Sequence, residues 1–397
     1  MHAVQLLHKI VKKSCVGIHS KRLDGLFVAV DALAMNGKLS VTGLGRSLKN
    51  KTSHKHNIKR IDRLVGNEKL YEECVALYTT AARWIIGNKK SIPLLIDWSW
   101  LPGSQLCVLR ASVPTQGRAL TVYEEVHPKK MNNNHYVHKM FLQKLKTVIP
   151  EQCKPVTITD AGFHSPFFKE VEKLGWDWIG RIRNLTKHRK SKENNWVSCK
   201  ELQEKATKIP SLFSEVVLSK STPIQCSIFL YKGKKKGRIA KNKLGVRKKA
   251  KASKVCANAG REPWVLATSL KGGEKIAQKV VKLYKSRMQI EEGFRDLKSS
   301  RLGLSLKDSQ TYKQKRFTIL LLVGMLAILA LFLLGKAGEQ QKMQYQFQAN
   351  TIRKEAVLSI FYLGCQIMRE GKIKFNESEL LAALKAIRAL LIQWELE

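Results

Sequence analysis

Ile92-Pro-Leu-Leu-Ile-Asp97 is a short apolar run that closes on an acid, the pattern of a buried strand. Leu106-Cys-Val-Leu-Arg-Ala-Ser-Val113 and Ala119-Leu-Thr-Val-Tyr-Glu124 follow, separated by Pro114 and Gly117. Three strands with such short links predict an antiparallel meander. His138 to Val148 has the rhythm of a helix. Pro155-Val-Thr-Ile-Thr-Asp160 is a second strand ending in an acid, and Ala161-Gly162-Phe163 turns the chain into a further helix. Trp176-Asp-Trp-Ile-Gly-Arg-Ile-Arg183 returns as a strand.

Three strands, a helix, a strand, a helix and a strand is the order of an RNase H-like mixed α/β sheet. In that order the strands ending at Asp97 and Asp160 can be neighbours, with both carboxylates at one edge. Either acid alone is an ordinary strand terminus; the two at matching ends form a pair. Glu124 and Glu125, at the far end of the third strand, and Asp177, between two tryptophans, are the competing acids. From about 185 to 270 the sheet is interrupted by a β-rich insertion. Leu212–Leu218 and Ile224–Tyr231 predict a hairpin, and the Lys-rich run after it reads as a loop, solvated or in contact with a polyanion. Trp264-Val-Leu-Ala-Thr268 is the strand that restores the sheet.

Next comes Tyr284-Lys-Ser-Arg287-Met-Gln-Ile-Glu291-Glu-Gly-Phe-Arg-Asp-Leu-Lys298. At about 100° per residue, Arg287, Glu291 and Lys298 fall near 300°, 340° and 320° from Tyr284. The four polar groups share one stripe, and Ile290, Phe294 and Leu297 flank it as the packing face. Glu292 points about 100° away from Glu291. Such a stripe is either a solvated basic face or a helix laid on a phosphate backbone, its carboxylate holding a metal ion.

Tyr-x2-Arg-x3-Glu-x6-Lys is the signature of the YREK group of DDE transposases from bacterial insertion sequences, and the chain resembles that family over almost its whole length. Asp160-Ala161-Gly162-Phe163 is more similar to the Tn-ten side of the group than to relatives with Asp-Arg-Glu-Ala-Asp there. The resemblance implies an RNase H-like catalytic core over residues 86–310. It also implies a helical domain at 1–85 that grips the terminal inverted repeat, and a helical C-terminal region at 311–397 with dimer contacts. The implied activity is cut-and-paste transposition with two Mg²⁺ ions, Mn²⁺ able to substitute. Asp97 would bridge the ions, with Asp160 and Glu291 each holding one. The implied partners are double-stranded DNA, as terminal repeats and target, and a second copy of the chain in a paired-end complex. Arg287 and Lys298 are the expected phosphate clamps and Tyr284 a backbone contact; Arg181 and Arg183 are further candidates. Trp264 stands where relatives place a tryptophan that captures a flipped base, although a lone strand tryptophan also reads as core.

Composition agrees with a polyanionic partner. Among 397 residues, 72 Lys and Arg face 31 Asp and Glu, a formal charge of +41. Lys232 to Lys254 holds 12 basic residues and no acid, yet the remainder still carries +29. Nucleic acid is the expected partner, with a membrane or the ribosome as the alternative. A hydrophobic content of 44% excludes a disordered basic protein. In the N-terminal segment, Arg22 to Met35 reads as a helix, and Leu39 to Lys49 has the short, Gly-punctuated look of a helix-turn-helix approach. His56-Asn-Ile-Lys-Arg-Ile-Asp-Arg-Leu-Val-Gly66 turns Ile58, Ile61, Leu64 and Val65 inward. Lys59, Arg60 and Arg63 face outward, as a solvated surface or a major-groove contact. The eight cysteines (Cys15, Cys74, Cys107, Cys153, Cys199, Cys226, Cys256 and Cys365) form no C-x2-C pair. Free thiols and a basic N-terminus without a secretory core predict a reducing cytoplasm and no zinc, and the resemblance implies that the cytoplasm is bacterial, with the protein at the nucleoid. Phe317 to Leu334 is 18 residues without a charge. It reads as a membrane span or as a helix buried at the centre of a domain, and the latter is expected.

Overall fold

The computed structural model describes residues 3–36, 38–183, 186–190, 193–233, 246, 250, 262–301, 303–349, 351–352 and 355–391. Most of the Lys-rich run and Cys256 lie outside them, as does Trp394, the expected end of an alternating Leu/Ala helix that starts at Leu380. The chain forms two compact units, Met1–Pro155 with Met288–Glu397, and Val156–Arg287.

The first unit begins with five helices, α1 (Ala3–Ser14), α2 (Ser20–Asn36), α3 (Val41–Arg46), α4 (His54–Val65) and α5 (Glu68–Ile86). Ser40 caps α3 by accepting from the Gly43 N–H, and Asn67 caps α5 by accepting from Leu70. Helices α3 and α4 touch backbone to backbone: a Cβ on Gly45 would lie 2.5 Å from the Ile58 Cα. Ile61 and Val65 are buried on α4, while Lys59, Arg60 and Arg63 are exposed. Then come β1 (Ser91–Trp100), β2 (Leu106–Pro114) and β3 (Ala119–Pro128), the expected meander, with Asp97 opposite Arg110 and Arg110 opposite Glu124. β1 continues three residues past Asp97, because Trp98, Ser99 and Trp100 still pair with Leu109, Val108 and Cys107. Asp97 therefore lies within the strand and not at its end: the apolar run stops where burial stops, but the ladder goes on. Likewise Glu124 and Glu125 fall in the middle of β3. Asn134 caps α6 (His135–Val148).

The second unit carries β4 (Lys154–Thr159) from Val156 onward, α7 (Ser165–Lys173), β5 (Asp177–Ile182), β6 (Lys187–Lys190), β7 (Val197–Ser198), β8 (Ser211–Leu218), β9 (Ile224–Tyr231), β10 (Trp264–Thr268) and α8 (Ala277–Ser286). β4 and β5 are parallel, joined through α7, and β10 pairs antiparallel with both β5 and β9. Its strand order is β4-β5-β10-β9-β8-β6-β7. The β8–β9 hairpin thus extends the sheet edge to edge from β10. Mixed α/β, with this order of strands and crossover helix, the fold is RNase H-like.

The helix expected over Tyr284–Lys298 is broken at Arg287 into α8 and α9 (Met288–Lys298). The buried Ser286 hydroxyl donates to the Leu283 carbonyl at 2.6 Å, and the Arg287 N–H turns to Tyr284, three residues back. A side chain competing for a helix carbonyl tightens the last turn and ends the ladder. Tyr284 and Arg287 consequently belong to the second unit, and Glu291 and Lys298 to the first.

The first unit closes with α10 (Gln314–Gln340), α11 (Gln344–Phe347), α12 (Ile360–Glu370) and α13 (Glu377–Leu390). Apolar on every side, α10 has a most hydrophobic window that is 89% buried. Helices α1, α2, α4, α5, α12 and α13 and strand β3 all pack on it. A helix with no polar face needs such a surround, so the segment that passes for a membrane span is the core of this unit. Where α10 meets α12, a Cβ on Gly364 would sit 1.8 Å from the Leu331 carbonyl oxygen.

Candidate active site

In the first unit, α9 lies on the meander, and four side chains fasten it. Gln289 accepts from the Thr115 N–H at 2.9 Å, and Phe294 lies 4.3 Å beneath the Arg110 guanidinium. Arg118 donates to Asp296 at 2.5 Å. The Lys298 ammonium donates to Ser99 Oγ at 2.7 Å and to the Trp100 carbonyl at 2.6 Å. The helix therefore runs with β1, its start near the far end of β2 and its last residue at the end of β1. Asp97 and Ser99 share a face of β1, because side chains alternate along a strand. Glu291, exposed and two turns before Lys298, shares the helix face that meets Ser99. Asp97 and Glu291 thus stand on two elements in contact, with the Lys298 ammonium among them. Burial, then the charges of Arg110 and Lys307, lower the Lys298 pKa to about 8, although Asp97 pulls the other way.

The competing acids are accounted for by partners. Glu124 is buried with Arg110 at 2.6 Å and also accepts from the Tyr78 hydroxyl at 3.1 Å. Burial pushes the Glu125 pKa up, but hydrogen bonds from His127, Tyr123 and Lys144 outweigh it and hold it at about 2. Asp177 accepts from the Ser269 hydroxyl, and Glu292 pairs with Arg295 one turn along α9.

The second unit holds the other candidates. Asp160 follows β4 directly, and its carboxylate accepts from the Gly162 N–H at 2.8 Å, an Asx turn that directs the chain toward α7. Arg181 on β5 and Arg183 just beyond it converge on Glu262, at 3.4 and 3.2 Å. Arg181 Nε is buried without a hydrogen-bond partner, and burial lowers the pKa of this guanidinium. Trp264, half-buried at the start of β10, sits between the Tyr231 ring at 5.6 Å and the Tyr284 ring at 4.8 Å. Tyr284 is only 4% exposed. Burial raises its pKa; the charges of Arg287, Arg181 and Arg183 oppose that shift, and Asp160 adds to it. Tyr284, three arginines and Asp160 are therefore one electrostatic neighbourhood, in which Tyr284 packs under Trp264.

Among the described residues, no three His, Cys, Asp or Glu side chains gather as a metal-binding group. Asp97, Asp160 and Glu291 supply carboxylate oxygens only, a donor chemistry that fits a hard divalent cation. Pattern reading missed Arg110, Ser99, the Trp100 carbonyl and Glu262, which hold the candidate residues in place. One signal for the first was available: Arg110 is the single charge in an apolar strand, and Glu124 is an acid in the next.

No curated protein matches the chain. A model of the transposase DDE domain family matches residues 101–329, which takes in Asp160 and Glu291 and begins just after β1. With 229 of 397 residues matched, on a fold of the RNase H-like kind, the chain belongs to the transposase DDE domain family.

Proposed function

We propose that this protein is the transposase of a bacterial insertion sequence of the YREK group, of the Tn-ten type, and that it moves its element by cut-and-paste. The observation that carries the reading is the seating of α9 on β1. Arg110, Arg118 and the Lys298 ammonium hold the helix of Glu291 against the strand of Asp97. Asp160, at the end of β4, is the third carboxylate. Asp97, Asp160 and Glu291 would hold two Mg²⁺ ions, or Mn²⁺ in their place. When bound, such ions supply acidity to the attacking oxygen and neutralise charge on the leaving one.

The chain's own residues position DNA for an in-line displacement at phosphorus. Water attacks, the bond to the 3′ oxygen breaks, and a 3′-hydroxyl is released. That hydroxyl attacks the opposite strand to close a hairpin, a second water opens it, and the freed 3′-hydroxyl joins target DNA. Arg181, Arg183 and Arg287 hold phosphates near Asp160, and Lys298 has one ammonium N–H beyond the two it gives to β1. Trp264, supported by Tyr231 and Tyr284, stacks on a displaced base. Residues 1–85 grip the terminal inverted repeat, the exposed Lys59, Arg60 and Arg63 of α4 lying on its backbone or in its groove. Residues 86–310 carry the chemistry, and 311–397 contribute to a homodimer that pairs the ends at the nucleoid.

The test incubates purified protein with a plasmid bearing the gene and its native flanks, with and without Mg²⁺, beside Glu291→Gln. Metal-dependent excision, lost in the variant while binding to the flanks persists, is the expected result. Excision by Glu291→Gln would sink the assignment of the third carboxylate. Binding of the flanks by the wild type without any cutting would make the chain a DNA-binding protein and not an enzyme.

A further inference from the structure

Among the described residues, Trp100 alone of the tryptophans is exposed, with 63% of its surface in water. An indole that stands in water offers a wide, rigid aromatic face to whatever binds there. Its backbone is held rigid: it pairs with Cys107, and its carbonyl accepts the Lys298 ammonium at 2.6 Å. The Lys129 ammonium stands 5.0 Å from the ring centroid, and the Lys129 backbone is itself fixed by a hydrogen bond from its N–H to the Gln105 carbonyl. Two residues back on the same face of β1, Trp98 is anchored by its indole N–H on His138 at 3.0 Å. Trp98 is thus anchored in the protein, and Trp100 presents a ring with a cation beside it to solvent.

We propose that Trp100 is a stacking platform for an unpaired DNA base, with Lys129 taking the adjoining phosphate. This rests on the reading of Asp97 as a residue of the reacting centre. The ligand class follows from the chemistry, because a fixed aromatic ring beside a lysine is how single strands are held without regard to sequence. Geometry favours a single strand over a continuous duplex. Trp100 and Asp97 lie on opposite faces of β1, about 10 Å apart along the strand. DNA that reaches both must turn round the end of β1, which a flexible single strand does and a stiff duplex does not. The platform is separate from Trp264, which is in the other unit between two tyrosines.

The test uses the full chain and two DNAs, a blunt duplex and the same duplex with a short 3′ tail carrying 2-aminopurine. The wild type should quench 2-aminopurine and prefer the tailed DNA. Trp100→Ala should lose the quenching and bind the tail roughly 5- to 150-fold more weakly, the range expected for one base–aromatic stack. Its affinity for the blunt duplex should not change, and Trp100→Phe, which keeps a ring to stack on, should keep much of the preference for the tailed DNA. Equal quenching and affinity in Trp100→Ala and the wild type would overturn the platform while leaving DNA binding intact. Equal losses on tailed and blunt DNA would also overturn it, since stacking acts only on the unpaired base. Failure of the wild type to bind either DNA would instead overturn the transposase reading beneath it.

Discussion

Glu124→Gln separates a structural acid from a metal-binding one. The Glu124 and Arg110 side chains are 1% and 3% exposed, and Glu124 meets the guanidinium at 2.8 Å on Nε and 2.6 Å on a terminal nitrogen. Its other oxygen accepts from the Tyr78 hydroxyl. The amide keeps the shape of the side chain but leaves the guanidinium buried against a neutral partner. Breaking a buried pair from one side costs about 3–5 kcal/mol. At about 2–4 °C per kcal/mol for a unit of this size, the melting temperature should fall on the order of 10 °C. The loss should reach α9, because Arg110 also lies on Phe294. Thermal and urea unfolding of the full chain, followed by far-UV circular dichroism, measures it. Removing the whole cluster together, as Tyr78→Phe, Arg110→Met and Glu124→Leu, should restore most of the stability, because no charge or hydroxyl is left without a partner. A Glu124→Gln protein that melts with the wild type but no longer cuts DNA would refute this account. Glu124 would then be a metal ligand.

Gly364→Val should prevent α12 from seating on α10, since its Cβ would overlap the Leu331 carbonyl oxygen; Gly17→Ala, with nothing within 4 Å, should be neutral. Soluble yield and melting temperature of the two variants check this, and a stable Gly364→Val protein would refute the helix crossing. The Glu125 pKa is held at about 2 against an ordinary 4.5. Its contribution is therefore complete above about pH 4.5 and lost as pH falls through about 2. Acid unfolding of Glu125→Gln beside the wild type should show a shallower dependence across that window, and superimposable profiles would count against the assignment.

Local pattern was enough for much of the fold. The apolar runs that became β1, β2, β4, β9 and β10, and the rhythm of α2 and α6, are properties of neighbouring residues, and burial acts on them directly. The uncharged length of α10 likewise dictates a surround on every side. A stripe of polar residues on a predicted helix was also legible, but not its division. The break depends on one hydroxyl, Ser286, competing for the Leu283 carbonyl, and periodicity does not register that. Nor does sequence alone say which charges cancel. Arg110 finds Glu124 only when two strands pair in register, and Lys298 finds Ser99 only when α9 lies along β1. The burial of Tyr284 beneath Trp264, and the convergence of Arg181 and Arg183 on Glu262, join segments about 20 and 80 residues apart. The sequence alone determined which residue types were available for the chemistry and which segments had to be buried. Only the tertiary structure decided which acids are neutralised inside the fold, because an ion pair forms through space and its partner is chosen by packing.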